Sequence, residues 1–336
     1  MPSPYAAAHA TPQGAGDARP TALQIIHDEH LTNKLSDKVV VLTGATSGIG
    51  FETARALATT GATLFLTARD IPKAQAALAE IIEQNSDRIS LVQMDNSSLG
   101  SIRLAAEKIL SLSNGIVHIL IANAGVMGIP ERVLTEDGHE THFATNYLGH
   151  FLLFQLLKPA LLRSATAEFH SRVVVVSSSA HRAGDLEGWD YDFVKTTYDW
   201  NLAYANSKLA EIYLANEIER RHGAECLHAT SLHPGAINTN VARHIGQGFV
   251  DMLLSDETVA RVLKSAEQGA ATTVVAAVGS SWGGRGGRYL EDCEEARRGI
   301  DDGDAFGVGF VERTYDEVQA RMLWGVSLGL VGLGDE

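Results

Sequence analysis

The sequence predicts an α/β chain built as a doubly wound parallel sheet of about seven strands with helices on both faces. Three observations lead there. Short Val/Ile/Leu runs such as "KVVVLT" and "RVVVVSS" are apolar at successive positions, so both faces of each must be covered. Between these runs lie longer segments with Ala, Leu, Glu and Lys at helical spacing. The first run ends in "VLTGATSGIG", a break carrying Gly44, Gly48 and Gly50 just before an Ala-rich helical pattern.

In chain order, "MPSPYAAAHATPQGAGDARP" is rich in Ala, Pro and Gly and reads as a mobile tail. It has neither the basic start nor the apolar core of a signal peptide. "TALQIIHDEHLTNKL" follows, a short helix with Leu23, Ile26 and His30 on one face, which closes a segment 1–36. Residues 37–336 read as one domain with no repeat and no internal linker. Its strands are "KVVVLT", "TLFLT", "ISLVQM", "VHILIANAG", "RVVVVSS" and "CLHATSLH". Beyond the sixth, near 240–265, Gly246 and Gly248 precede the apolar cluster Phe249, Met252, Leu253 and Leu254. That segment reads as a substrate lid with hinges, or else as a plain surface helix. A C-terminal extension carries "EEARR" and "DDGD", read as solvated charge runs.

Composition narrows the function classes. The chain has 336 residues, 45% hydrophobic and 20% charged, which suits a globular α/β protein. Its net charge of −14 argues against nucleic acid or an anionic membrane as a partner, since both need a basic face. Runs such as "FLLFQLL" fall far short of the roughly 18 apolar residues of a membrane span, so no integral membrane segment is expected. Cys226 and Cys293 lack metal-ligand spacing and favour a reducing, cytoplasmic setting. No metal is expected: His27 with His30 and His139 with His142 lack a third ligand in register and read as solvated helix faces.

A glycine-rich break between first strand and first helix is where doubly wound proteins bind nucleotides. Gly44 permits a tight turn, and Gly48 and Gly50 let the backbone approach a pyrophosphate. The spacing G-x-x-x-G-x-G, with Thr43 before it and Ile49 inside it, resembles that of the short-chain dehydrogenase/reductase family. "NAG" at Asn123 to Gly125, "NYLGHF" from Asn146, Ser178 in "VVVVSSSAH", "YANSK" with Tyr204 and Lys208, and "HPGAINT" keep the family's order from about residue 37 to 290. Within it, "TARD", "HFATNYLGHFLL" and "SSSAHR" resemble the retinol-dehydrogenase-like and WW-domain-oxidoreductase-like branch. The resemblance implies the Rossmann architecture, a nicotinamide cofactor, a small-molecule substrate, and a homodimer or homotetramer formed through two long helices.

Tyr204 and Lys208, at i and i+4, share one helix face. A free phenol with a pKa near 10 is a poor base, and a neighbouring cation favours its phenolate. Tyr204 would then take the proton from an alcohol, or return it during carbonyl reduction. Ser178, at a strand end, can donate to the substrate oxygen, and the family motif prefers it to Ser177 and Ser179. Asn146 falls where the family kinks a helix and holds a water linking Lys208 to solvent, or it is a surface or capping amide.

The remaining expectations concern the cofactor. Asp95, with Asn96 beside it, resembles the acid that meets adenine, although "DNSS" is also a capping sequence. Asn123, with Ala124 and Gly125, resembles the residues beside the adenosine ribose. Pro234 and Gly235 read as a rigid turn, and the resemblance implies that Ile237 presses on the nicotinamide ring and that Thr239 donates to its carboxamide. In "LFLTARD", Ala68 stands where an NAD-preferring chain has an acid, and Arg69 is placed to meet a 2′-phosphate, with Ser47 as a second donor. Asp70 restrains Arg69, serves as the ribose acceptor itself, or caps the next helix. Trp189, Tyr191, Phe193 and Trp200 either line an aromatic pocket or pack their loop down.

The expectation is an NADP(H)-dependent carbonyl/alcohol oxidoreductase acting on a small hydrophobic or aromatic molecule. The alternatives are a dehydration or isomerisation enzyme and a nucleotide-sensing binding protein.

Overall fold

The computed structural model describes residues 3–186, 188, 190–237 and 256–334. Trp189, Thr239 and the cluster from Gly246 to Leu254 lie outside the described residues, as does most of the expected lid.

Eight strands among the described residues form one sheet: β1 (Val39–Thr43), β2 (Thr63–Ala68), β3 (Ile89–Gln93), β4 (Ile119–Ala122), β5 (Ser171–Val176), β6 (Leu227–His233), β7 (Arg288–Glu291) and β8 (Glu294–Glu295). Their order is β3-β2-β1-β4-β5-β6-β7-β8, parallel through β7. The chain crosses from one half of the sheet to the other between β3 and β4, so the carboxyl ends of β1 and β4 flank a crevice. The two-residue β8 runs antiparallel to β7, joined through Asp292 and Cys293 at positive φ, and takes the strand count past seven.

The helices are α1 (Ala6–His9), α2 (Ala22–Asp28), α3 (Gly48–Ala58), α4 (Ile71–Ala77), α5 (Ala79–Gln84), α6 (Leu99–Leu112), α7 (Gly149–Ser164), α8 (Trp200–His222), α9 (Glu257–Val262), α10 (Ala266–Val278) and α11 (Glu317–Leu330). Strand residues alternate between two cores. Val41, Phe65, Leu120 and Val173 point to the side of α6, α7 and α8, while Val40, Leu42, Leu64 and Val174 point to that of α2, α3 and α10. α11 lies along α8, with Trp324 edge-on to Phe151 and Phe154 of α7. It thus covers part of the two longest helices among those described.

Several segments depart from the sequence-based expectation. The segment read as a mobile tail packs on the body. Arg19, 4% exposed, donates to the carbonyls of Val262 and Leu263 at the end of α9 and pairs with Asp17, which also accepts from Gln268 of α10. Those carbonyls need donors, and a guanidinium supplies five N–H groups. α2 buries Ala22, Ile25 and Ile26, leaving Leu23 half-buried and His30 exposed at a positive φ.

His139 and His142 do not form a solvated helix face, because residue 139 belongs to the loop before the helical turn. His139 lies 3.3 Å from Asp192, and His142 is fully buried 2.8 Å from Glu140. "DDGD" wraps a buried cation: Arg182 donates to Asp302 and to the carbonyls of Ile300, Asp304 and Val308. In "EEARR", Glu294 and Glu295 form β8, Glu295 pairing with Arg285 and Arg288, while Arg298 pairs with Glu312. In the aromatic loop, Tyr191 stacks on Phe143 at 4.5 Å and Phe193 is buried edge-on to Tyr198, so these rings pack the loop down.

Candidate active site

The glycine loop joins β1 to α3. Gly44 has φ +71°, and a Cβ there would stand 2.8 Å from Ala124 Cα. At Gly50 a Cβ would meet the Gly44 carbonyl oxygen at 2.2 Å and Asn123 Nδ2 at 2.6 Å. The two strand ends therefore touch through glycine, leaving backbone rather than side chain at the crevice. Asn123 Nδ2 closes the contact by donating to the Thr43 carbonyl at 2.9 Å. Ser47 sits at the N-cap of α3, but its hydroxyl makes no capping bond.

Thr43 lies beneath this loop, fully buried, and its hydroxyl accepts from the N–H groups of Asn123 and Ala124, both at 2.9 Å. The same oxygen is 2.9 Å from His150 Nε2, and Asn96 Nδ2 is 2.8 Å from that nitrogen. His150 Nδ1 lies 2.6 Å from the Asn146 carbonyl oxygen. A carbonyl only accepts, so Nδ1 carries the proton and Nε2 accepts. Burial holds the imidazole neutral, pushed down to about 4. His150 thereby ties the floor of the glycine loop to Asn146, a role that sequence reading did not assign to it.

Asn146 belongs to a π-helical turn, Phe143–Leu148, that leads into α7. It is fully buried, not a surface amide: Oδ1 accepts from Val126 N at 2.8 Å, and Nδ2 donates to the Val126 carbonyl and to Ser207 Oγ.

Tyr204 and Lys208 share the face of α8 that looks into the crevice. Lys208 Nζ stands 5.6 Å from the Tyr204 ring centroid and donates to the Val176 carbonyl at 3.0 Å and to Glu211 Oε2 at 2.8 Å. Burial works against the charge of Lys208, but Glu211 and Tyr204 outweigh it and raise its pKa. His142 approaches the Tyr204 ring edge-on at 6.2 Å.

At the end of β5 the three serines divide their work. Ser177 Oγ, buried, donates to the Lys208 carbonyl at 2.7 Å, and Ser179 N donates to His233 Nδ1 at 3.1 Å. Ser178 Oγ accepts from Ala180 N at 3.2 Å, which leaves its own proton uncommitted. His181 fixes that residue's backbone, its Nδ1 2.7 Å from the Ser178 carbonyl.

A cavity of about 640 Å³ joins these parts. Its wall includes Gly44, Ser47, Gly48, Ile49 and Gly50 of the loop, and Arg69, Asp95 and Asn96 at the ends of β2 and β3. It continues past Asn123, Ala124 and Gly125 to Tyr204, Lys208 and Pro234. Thr43, Asn146, Ser178, Gly235 and Ile237 are not part of that wall. Gly235 has φ +105° and packs on Lys264, while the Ile237 side chain lies over Gly269 of α10. Asp95 accepts from Ser97, and Ser98 caps α6. Asp70 caps α4 by accepting from Lys73 N, and no ion pair restrains Arg69 among the described residues.

No helix among the described residues is long and apolar enough to cross a membrane. Residues 38–248 match the family described as short chain dehydrogenase. The chain is 43% identical to short-chain dehydrogenase/reductase prx1 of Penicillium roqueforti, over 98% of this chain and 96% of that protein. It is 39% identical to the WW domain-containing oxidoreductase of Pongo abelii, over 82% of this chain and 66% of that one. A crystal structure of an uncharacterised protein from Mycobacterium Paratuberculosis superposes with a TM-score of 0.67 at 31% identity, covering 88% of this chain and 94% of that one. With the glycine loop and the Tyr204–Lys208 pair meeting at one crevice, these matches establish that the chain belongs to the short-chain dehydrogenase/reductase family of oxidoreductases.

Proposed function

We propose that the protein is an NADP(H)-dependent oxidoreductase that interconverts a carbonyl and a secondary alcohol on a small hydrophobic molecule. The observation that carries this reading is the continuity of one cavity from Arg69, past the glycine loop, to Tyr204 and Lys208. The residues suit a dinucleotide: backbone lines the loop where any Cβ would collide, and Ser47 has a hydroxyl free of its helix.

When bound, the nicotinamide supplies or accepts the hydride. The protein's own groups handle the proton. Tyr204 gives its phenol proton to a carbonyl oxygen, or takes one from an alcohol; Ser178 donates a hydrogen bond to that oxygen, and Lys208 favours the phenolate. Asn146 supports Lys208 and Tyr204 from the π-turn and offers a path for proton exchange with solvent. Arg69 favours a 2′-phosphate, because Asp70 is spent on α4. Val126, Ile129 and Val133 give the substrate end apolar walls. Free Cys226 and Cys293 suit a cytoplasmic setting. α11 lies over the two longest helices, so association as a homodimer or homotetramer would have to accommodate it.

The test is loss of NADPH absorbance with a panel of ketones, quinones and aldehydes. Steady turnover with at least one class is expected. Product formation with no net change in cofactor would favour dehydration or isomerisation, and binding without turnover would favour a sensor.

A further inference from the structure

Glu211 is a buried acid for which the reaction just described has no use. It is fully buried one helical turn beyond Lys208 on α8, with Oε2 2.8 Å from the ammonium. Its other oxygen, Oε1, has no hydrogen-bond partner among the described residues. His150 Nδ1 is 3.9 Å away, but its proton is committed to the Asn146 carbonyl. A buried acceptor left open is costly, and an ion pair kept only for packing is readily replaced by apolar residues. The arrangement calls for a role in the charge of the site.

Lys208 is one cation with two acids beside it, Glu211 and the Tyr204 phenol. We propose that Glu211 is a positioning residue that competes with the Tyr204 phenolate for the charge of Lys208 and so holds Tyr204 in the protonated form that serves carbonyl reduction. This rests on the reading of Tyr204 as the proton donor. While Glu211 is a carboxylate, the pair has no net charge and Tyr204 feels only its dipole; without it, the full ammonium charge favours phenolate.

The other titratable groups around the pair do not blur the argument. His150 on α7 and His233 at the end of β6 are held neutral by burial, at about 4 and about 3, and His181 after β5 likewise at about 4. Tyr204 is also faced by the buried His142–Glu140 pair, its imidazole edge-on to the ring at 6.2 Å, and by Tyr289, whose phenol is raised by burial; all three are common to the parent and the Glu211 variants. Burial raises Glu211, while the Lys208 ammonium 2.8 Å away favours its carboxylate.

Tyrosinate absorbance, read as the difference between the parent protein and Tyr204→Phe, follows this one phenol without a substrate. In Glu211→Gln its midpoint is expected to fall by about one pH unit, and in Glu211→Asp, which keeps the charge, to stay with the parent. An unchanged or higher midpoint in Glu211→Gln overturns the proposal. A second measurement covers the case in which Glu211→Gln does not fold. In the parent, the carboxylic-acid infrared band of Glu211, raised by burial, should vanish at a lower pH than that at which the Tyr204 tyrosinate appears; tyrosinate appearing first also overturns it. Neither measurement reads hydride transfer, so failure here leaves the redox reading standing, and failure of that reading leaves these titrations intact.

Discussion

His150 Nδ1 donates to the Asn146 carbonyl at 2.6 Å, and with Nε2 2.9 Å from the Thr43 hydroxyl the ring links the floor of the glycine loop to the π-helical turn. Nε2 accepts from Asn96 at 2.8 Å, which requires a neutral imidazole, and burial keeps three other histidines neutral as well. Burial lowers His118, His150 and His181 to about 4 and His233 to about 3.

Each of these four groups is depressed below the unfolded value of about 6.5, so the unfolded chain binds more protons below that pH. Their contribution to stability is complete above about pH 6.5 and is lost as pH falls towards 4, by at most about 1.4 kcal/mol per pH unit for each group. Urea midpoints measured at pH 7, 6 and 5 should fall steadily. In His150→Leu the slope should be shallower and neutral-pH stability lower by about 1–3 kcal/mol, since Asn96 and the Asn146 carbonyl lose their partner. A flat profile in the parent would mean that these imidazoles are not buried neutral.

The glycine loop predicts a steric result. In Gly50→Ala the new methyl meets the Gly44 carbonyl at 2.2 Å, a backbone atom that cannot swing aside. Overpacking of this kind costs about 1–3 kcal/mol, and here it pushes the loop from the crevice. Thermal unfolding and NADPH titration of the variant should show a lower Tm and loss of measurable binding together. Parent-like affinity would show that the cofactor does not depend on this contact.

The proposed function assigns the choice of cofactor to Arg69. Removing a charged hydrogen bond costs roughly 1.5–3 kcal/mol, so Arg69→Ala should weaken NADPH binding about 10- to 150-fold and leave NADH almost unchanged. Equal weakening of both, or equal affinity of the parent for both, would reduce Arg69 to a surface residue near the adenosine.

The sheet and the glycine loop were legible in the sequence because their signals are local: apolar runs covered on both faces, and glycines where only backbone fits. Motif order singled out Ser178, Tyr204 and Lys208, of which the structure brings Tyr204 and Lys208 to the cavity wall. His150 stood in plain view in "NYLGHF" but gave no signal, because its partners are a backbone carbonyl four residues back and side chains distant in sequence. Glu211 drew no reading from the sequence. The clue was that α8 has no clear polar face, with buried residues on all sides from Ala203 to Ile218. The N-terminal segment looked loose because Arg19 is held by hydrogen bonds to carbonyls, which no hydrophobic pattern reveals.

The central claim is that the Tyr204 hydroxyl exchanges the proton in a nicotinamide-dependent redox step. Tyr204→Phe keeps the ring and removes only that hydroxyl, which has no protein partner among the described residues. Measured with the carbonyl substrate that the parent turns over, NADPH affinity should stay close to the parent while kcat falls by about 10² to 10⁴. Turnover within a factor of about three of the parent, at unchanged affinity, would contradict the account, because a positioned proton donor cannot be lost so cheaply.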